Sequence, residues 1–182
     1  MKVHLGCGKR YIPGFVHVDL ADFPHIDHRH DVRHLPFFKS ESANLIYACH
    51  VLEYFDRFEA FPILKEWRRV LRPGGILRVA VPDIRSLITI YERTGDLKQI
   101  LGPLCGRMEV AGSSSPTFIY HRTAYDFDLL REVLTDAGFD QVRLYDWRQT
   151  EHSGIDDFSQ AYYPHLQKES GLLISLNVEA VR

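Results

Sequence analysis

The chain has no strong excess of charge. Its 22 Lys and Arg against 24 Asp and Glu leave a formal net charge of −2 over 182 residues. A nucleic-acid binder carries a basic footprint, so that class is set aside, and Arg68-Arg69 with Arg72 read as a solvated helix face. Cysteine is scarce: Cys7, Cys49 and Cys105 are too few and too far apart for a zinc site or a disulfide framework, which points to a reducing, cytoplasmic setting. A run of eighteen apolar residues is missing, which argues against a membrane span. Met1 to Gly6 holds no apolar stretch of the signal-peptide kind. What remains, with 45% hydrophobic and 25% charged residues, is the composition of one globular domain over residues 1–182.

Two phosphate-binding signatures are also missing. A dinucleotide loop needs G-x-G-x-x-G, its third glycine allowing tight helix–strand packing. Here His4-Leu5-Gly6-Cys7-Gly8 is followed by Tyr11 at that third place. The carboxylate Asp19 also comes only about a dozen residues after Gly6, against roughly 20 in an NAD site. Gly8-Lys9 is followed by Arg10, so no Gly-Lys-Ser/Thr loop exists. What is present is an apolar strand running into a glycine turn, then Val16-His17-Val18-Asp19-Leu20, a second strand ending on a carboxylate. Glycines let backbone amides approach a ligand closely, and a carboxylate at a strand tip can accept from both hydroxyls of a ribose. A nucleoside without a pyrophosphate fits this pattern, and S-adenosylmethionine is the common one.

The remaining chain reads as alternating strands and helices. Strands are expected at Val3 to Leu5, Phe15 to Leu20, near Asp31-Val32, at Ala43 to Cys49, Ile76 to Val81, Gln141 to Trp147 and Leu172 to Val181. Only some eight residues separate the first two, fewer than a helical crossover needs, so the first helix is expected to shrink to a turn. Helices are expected from about Arg57 to Leu71, with Phe58, Phe61, Leu64, Trp67 or Arg68, and Leu71 on the apolar stripe, after Asp83, and from Tyr125 to Ala137. Residues 102–118, with Gly102-Pro103 and Gly112-Ser113-Ser114-Ser115-Pro116, read as a long loop or lid. The expected class is α/β with an antiparallel edge.

Five segments in this order resemble class I S-adenosylmethionine-dependent methyltransferases of a compact subgroup: His4 to Gly8, Val18-Asp19, Asp31-Val32-Arg33-His34-Leu35-Pro36-Phe37, Tyr47 to Glu53, and Leu71-Arg72-Pro73-Gly74-Gly75. Ala137-Gly138-Phe139 adds a sixth. The resemblance implies a Rossmann-like, seven-stranded mixed sheet with helices on both faces. It also implies a cofactor held at Gly6, Cys7, Gly8, Asp19, Leu20, Asp31, Val32 and His50. The first strand starts almost at residue 1, with no helical extension before it, so the 102–118 loop is expected to cover the site. By analogy the acceptor is a small molecule or a saccharide, methylated at oxygen, in surface-glycan biosynthesis.

Methyl transfer from a sulfonium needs alignment and, for a hydroxyl acceptor, a base. His121, placed between the Gly/Ser segment and a helix, is the first candidate, with His50 and Glu53 as alternatives and Asp83 a further carboxylate at a strand end. Each has a structural alternative: His121 as a helix-flanking polar residue, Glu53 as a partner of the next helix dipole, Asp83 as a cap. The run His25-x-Asp27-His28-x-His30-Asp31 has alternating ligand types but reads as solvated loop, so no metal is expected. Cys7 is expected to be a small filler, and Tyr162-Tyr163-Pro164-His165 an acceptor-facing loop. The competing readings are a catalytically silent methyltransferase-like domain and, disfavoured by Tyr11, an NAD-dependent oxidoreductase.

Overall fold

The computed structural model describes residues 1–112 and 115–182. Ser113 and Ser114 of the expected lid lie outside the described residues. Seven strands form one sheet: β1 (Lys2–Leu5), β2 (Val16–Asp19), β3 (His28–Arg29), β4 (Ala43–Cys49), β5 (Leu71–Pro82), β6 (Asp140–Leu144) and β7 (Ser175–Val181). Their order is β3-β2-β1-β4-β5-β7-β6. β1 lies parallel between β2 and β4, and β4 runs parallel to β5. The antiparallel strand is not the edge as expected: β7 inserts between β5 and β6 and pairs antiparallel with both.

β1 and β2 are parallel neighbours joined by turns, with the crossover helix absent, as the short spacing required. The third strand falls at His28–Arg29, three residues before the segment expected from Asp31-Val32. The helices are α1 (Ala60–Val70), α2 (Ile84–Thr94), α3 (Lys98–Cys105) and α4 (Phe127–Asp136). Residues 102–105 close α3, so the expected loop is shorter. The dipeptide Gly102-Pro103 misled the reading because Pro103 is accommodated inside that short helix.

Strand alternation separates two cores. Val3, Leu5, Ile46, Ala48, Leu77 and Val79 point to the face packed by α1 and α4. Ile12, Phe15, Leu45, Tyr47 and Ala80 point to the other. Helical cover is shared unequally: α1 and α4 pack the first face, while α2 and α3 form a separate cluster with Tyr163, Leu172 and Ile174. Loop 6–15 and segment 145–161, with the single-turn 3-10 helices Trp147–Gln149 and Phe158–Gln160, cover the second.

In α1 the buried stripe is Ala60, Ile63, Leu64, Trp67 and Val70, while Phe58 and Phe61 face solvent. The expected stripe was set off by the aromatic pair. The helix begins at Ala60, three residues later than expected, and the turn before it is held by reciprocal bonds: Asp56 Oδ1 accepts the Glu59 N–H at 3.0 Å, and Glu59 Oε2 accepts the Asp56 N–H at 3.0 Å.

Candidate cofactor and acid–base site

Ligands of open α/β sheets bind outside the carboxyl ends of the strands, where the order reverses. Here that point lies between β1 and β4. The turn leaving β1 places Gly6 at φ +62° and Gly8 at φ +52°, conformations that suit glycine. A Cβ on Gly6 would overlap the Val51 side chain, whereas one on Gly8 would enter open space. The turn is therefore pinned on the inside at Gly6 and bare on the outside, with open space beside the Gly8 Cα.

Asp19 ends β2 and ties this turn down. Its Oδ2 accepts the Gly8 N–H at 2.7 Å and its Oδ1 the Ala21 N–H at 2.7 Å. Each oxygen keeps a second lone pair. Leu20, next to it, exposes an apolar side chain. Asp31 is partly committed, taking the Arg33 N–H at 2.9 Å and its guanidinium at 3.2 Å. Val32 is buried, and its carbonyl accepts the Trp67 indole N–H at 2.8 Å, which fixes this segment against α1. Cys7 is buried, and burial pushes its thiol up to about 12, as befits the inert filler expected there.

His50 follows β4 at φ +54°, a left-handed conformation that costs a non-glycine residue of the order of 1–3 kcal/mol and tends to mark functional sites. Its Nδ1 stands 3.3 Å from Glu53 Oε1, and His121 Nε2 stands 3.8 Å from the same oxygen. The three candidate bases, 71 positions apart at the extremes, thus converge at the tip of β4. Glu53 is 1% exposed and neither of its oxygens has a hydrogen-bond partner of good geometry. Burial pushes its carboxyl up to about 8 and pushes the His50 imidazole down to about 3. His121 is lowered by burial as well, against the opposing hydrogen bond of its Nδ1 with the Pro103 carbonyl at 3.0 Å. Near neutral pH the cluster therefore holds one carboxyl proton and two neutral imidazoles, so these contacts are not ion pairs.

Glu53 does not serve the next helix, as its alternative reading had it; Asp56 and Glu59 do that. Asp83 caps α2, accepting the Arg85 N–H at 3.1 Å and the Ser86 hydroxyl at 2.7 Å. Tyr162, expected in an acceptor-facing loop, is buried with its hydroxyl accepting from Arg148 at 3.0 Å. Tyr125, one of the aromatic residues that could line an acceptor site or belong to the core, is buried, and its side chain interacts electrostatically with Glu53. The motifs missed Ser175 at the start of β7, 3.4 Å from His50 Nε2. No local spacing points to it.

A short ribbon, Met108–Glu109 paired with Phe118–Ile119, starts and returns beside Glu53, where the Arg122 N–H donates to the Glu53 carbonyl at 2.7 Å. Its far end reaches past β2, where the Ala111 carbonyl accepts the Asp22 N–H at 3.1 Å and the Gly112 carbonyl accepts from Arg29 at 2.9 Å. It crosses the carboxyl edge where a cover was expected. In the His25–Asp31 run, Asp27 accepts the His17 N–H at 2.7 Å and His28 stacks on Phe37. Among the described residues no group of three or more His, Cys, Asp or Glu is arranged to hold a metal. Nor, among them, is any helix long and apolar enough to cross a membrane.

Residues 13–79 match the family model of a methyltransferase domain, a span that includes Asp19, Asp31, His50 and Glu53. Among solved structures the chain is similar to a methyltransferase of Thermotoga maritima described as a possible histamine N-methyltransferase (TM-score 0.57, 15% identity, 99% of this chain and 81% of that one). It is also similar to S-adenosylmethionine-dependent methyltransferases of Archaeoglobus fulgidus (0.58, 14%, 100% and 85%) and Methanosarcina mazei (0.55, 16%, 99% and 89%). No curated protein matches the sequence. The fold is that of class I S-adenosylmethionine-dependent methyltransferases, as the resemblance implied. Family match and fold together support S-adenosylmethionine as the cofactor.

Proposed function

We propose that the chain transfers a methyl group from S-adenosylmethionine to a hydroxyl of a small molecule or saccharide. The observation that carries this reading is the convergence at one sheet edge of an open glycine turn, a strand-end carboxylate and a buried acid–base cluster. Gly6, Cys7 and Gly8 offer backbone to the methionine part, and Asp19 offers its remaining lone pairs to the ribose diol. Leu20, Asp31 and Val32 flank the adenine, with His50 on the other side. When bound, the cofactor supplies an electrophilic methyl group whose departing sulfur needs no proton. The chain's task is then alignment, worth roughly 7–11 kcal/mol when good, together with removal of the acceptor proton.

His121, His50 and Glu53 perform that removal. Both imidazoles are kept neutral by burial, so both retain lone pairs at neutral pH. The acceptor hydroxyl, the saccharide class and surface-glycan biosynthesis rest on analogy with the compact subgroup. Three free thiols fit a reducing cytoplasm, and one domain over residues 1–182 suffices for the reaction.

The test is transfer of a labelled methyl group from the cofactor to a panel of glycans, nucleotide sugars and phenolic hydroxyl compounds. Label in any acceptor supports the reading. Tight cofactor binding with no transfer to any of them favours a silent methyltransferase-like domain instead.

A further inference from the structure

The polar chain behind His50 fixes its tautomer. Asn177 on β7 donates through Nδ2 to the Ser159 carbonyl at 2.8 Å. The opposite amide orientation would set two oxygens face to face, so Oδ1 must point the other way. There it accepts the Ser175 hydroxyl at 3.1 Å. With its proton spent on Asn177, Ser175 Oγ can only accept from His50 Nε2, 3.4 Å away. Nε2 then carries the imidazole proton, and the one lone pair of His50 lies at Nδ1, 3.3 Å from Glu53 Oε1. The far end is anchored too: Asp157 accepts Ser159 Oγ at 2.6 Å and the Tyr47 hydroxyl at 2.7 Å. Ser175, Asn177, Ser159 and Asp157 are all buried, so water does not compete with these bonds.

Resting on the methyltransferase reading of this site, we propose that Ser175 and Asn177 are positioning residues that hold His50 in the Nε2–H tautomer, so that its one lone pair stays at Nδ1, on the side of Glu53. When the acceptor proton is removed, the acceptor O–H bond breaks as the oxygen–methyl bond forms, and the proton makes the His50 Nδ1–H bond; the positive charge of the sulfonium is replaced by that of the imidazolium, and Glu53 keeps its own proton. Neither β7 residue touches the reacting atoms; both act through His50.

The experiment reads the two ring nitrogens of His50 by 15N-correlated NMR on the chain without cofactor or acceptor. The wild type should show a protonated Nε2 and an unprotonated Nδ1. Ser175→Ala should lose that bias and lower kcat by roughly tenfold, a part of the hundred- to ten-thousandfold that a positioned base contributes. KM for S-adenosylmethionine should not move, and Ser175→Thr, which keeps the hydroxyl, should restore tautomer and rate. A wild-type His50 protonated at Nδ1 overturns the proposal, as does an unchanged tautomer in a folded Ser175→Ala. Because the wild-type spectrum needs neither cofactor nor turnover, it decides the tautomer even if the chain transfers no methyl group.

Discussion

Glu53 is the residue whose environment works against stability. A carboxyl raised to about 8 by burial is favoured in its protonated form by the fold. Its contribution is therefore intact below the ordinary carboxyl range and is lost as pH rises through about 8. Glu53→Gln cannot ionise. Denaturant unfolding should find that variant more stable than wild type at pH 9 by on the order of a few kcal/mol, with the two converging near pH 4. Equal pH slopes would mean that Glu53 is ionised and solvated in the native chain. Methyl transfer by the variant should be lost despite its greater stability, the pattern of a group kept for chemistry. At this scale the sequence was legible where placement follows from neighbours along the chain: Gly6 and Gly8 in the turn after β1 and Asp19 at the tip of β2 were readable because they lie within fifteen residues. The state of Glu53 was not, because it follows from burial, to which residues far away in sequence such as His121, 3.8 Å off, contribute.

The glycine turn is the element on which cofactor binding rests, and it is fixed by contact as well as by conformation. Gly6→Ala would force a Cβ into Val51 at a positive φ. It should destabilise the chain by about 1–3 kcal/mol. Gly6→Ala with Val51→Ala should recover the overlap part of that loss and leave the conformational part, a split that thermal unfolding of the four chains can measure. Losses that simply add in the double variant would show that the contact is not felt.

Elements were readable where the period was strong and the boundary chemistry local. β4 was expected at its observed ends, and α4 within two residues. α1 was misread on its stripe because Phe58 and Phe61 carry large apolar side chains yet stand outside the buried face. α3 was hidden by Gly102-Pro103. The place of β7 inside the sheet is a tertiary choice that no periodicity encodes. Nor does strand alternation reveal how much of the second face lies under loop.

For the whole molecule, that loop-covered face carries a consequence. His4 stacks on Tyr47 with ring centroids 5.1 Å apart, His17 meets it edge-on at 5.6 Å, and His152 lies against Tyr47 at 4.2 Å. Burial holds all three imidazoles below their ordinary value. The folded state thus favours their neutral forms. The stability they contribute is present above about pH 6.5 and is lost as pH falls below it, as the unfolded chain takes up protons. The urea midpoint should drop between pH 7 and pH 5, and His4→Phe should flatten that drop; an identical drop in the variant would remove His4 from the account.

The central claim is that turn and carboxylate together grip an adenosyl sulfonium. Titration calorimetry of S-adenosylmethionine and S-adenosylhomocysteine into the wild type and Asp19→Ala tests it most directly. Charge-assisted hydrogen bonds contribute roughly 1.5–3 kcal/mol each, so the variant should bind at least about tenfold more weakly. Heat-silent titrations of the wild type, or an affinity untouched by loss of Asp19, would contradict it.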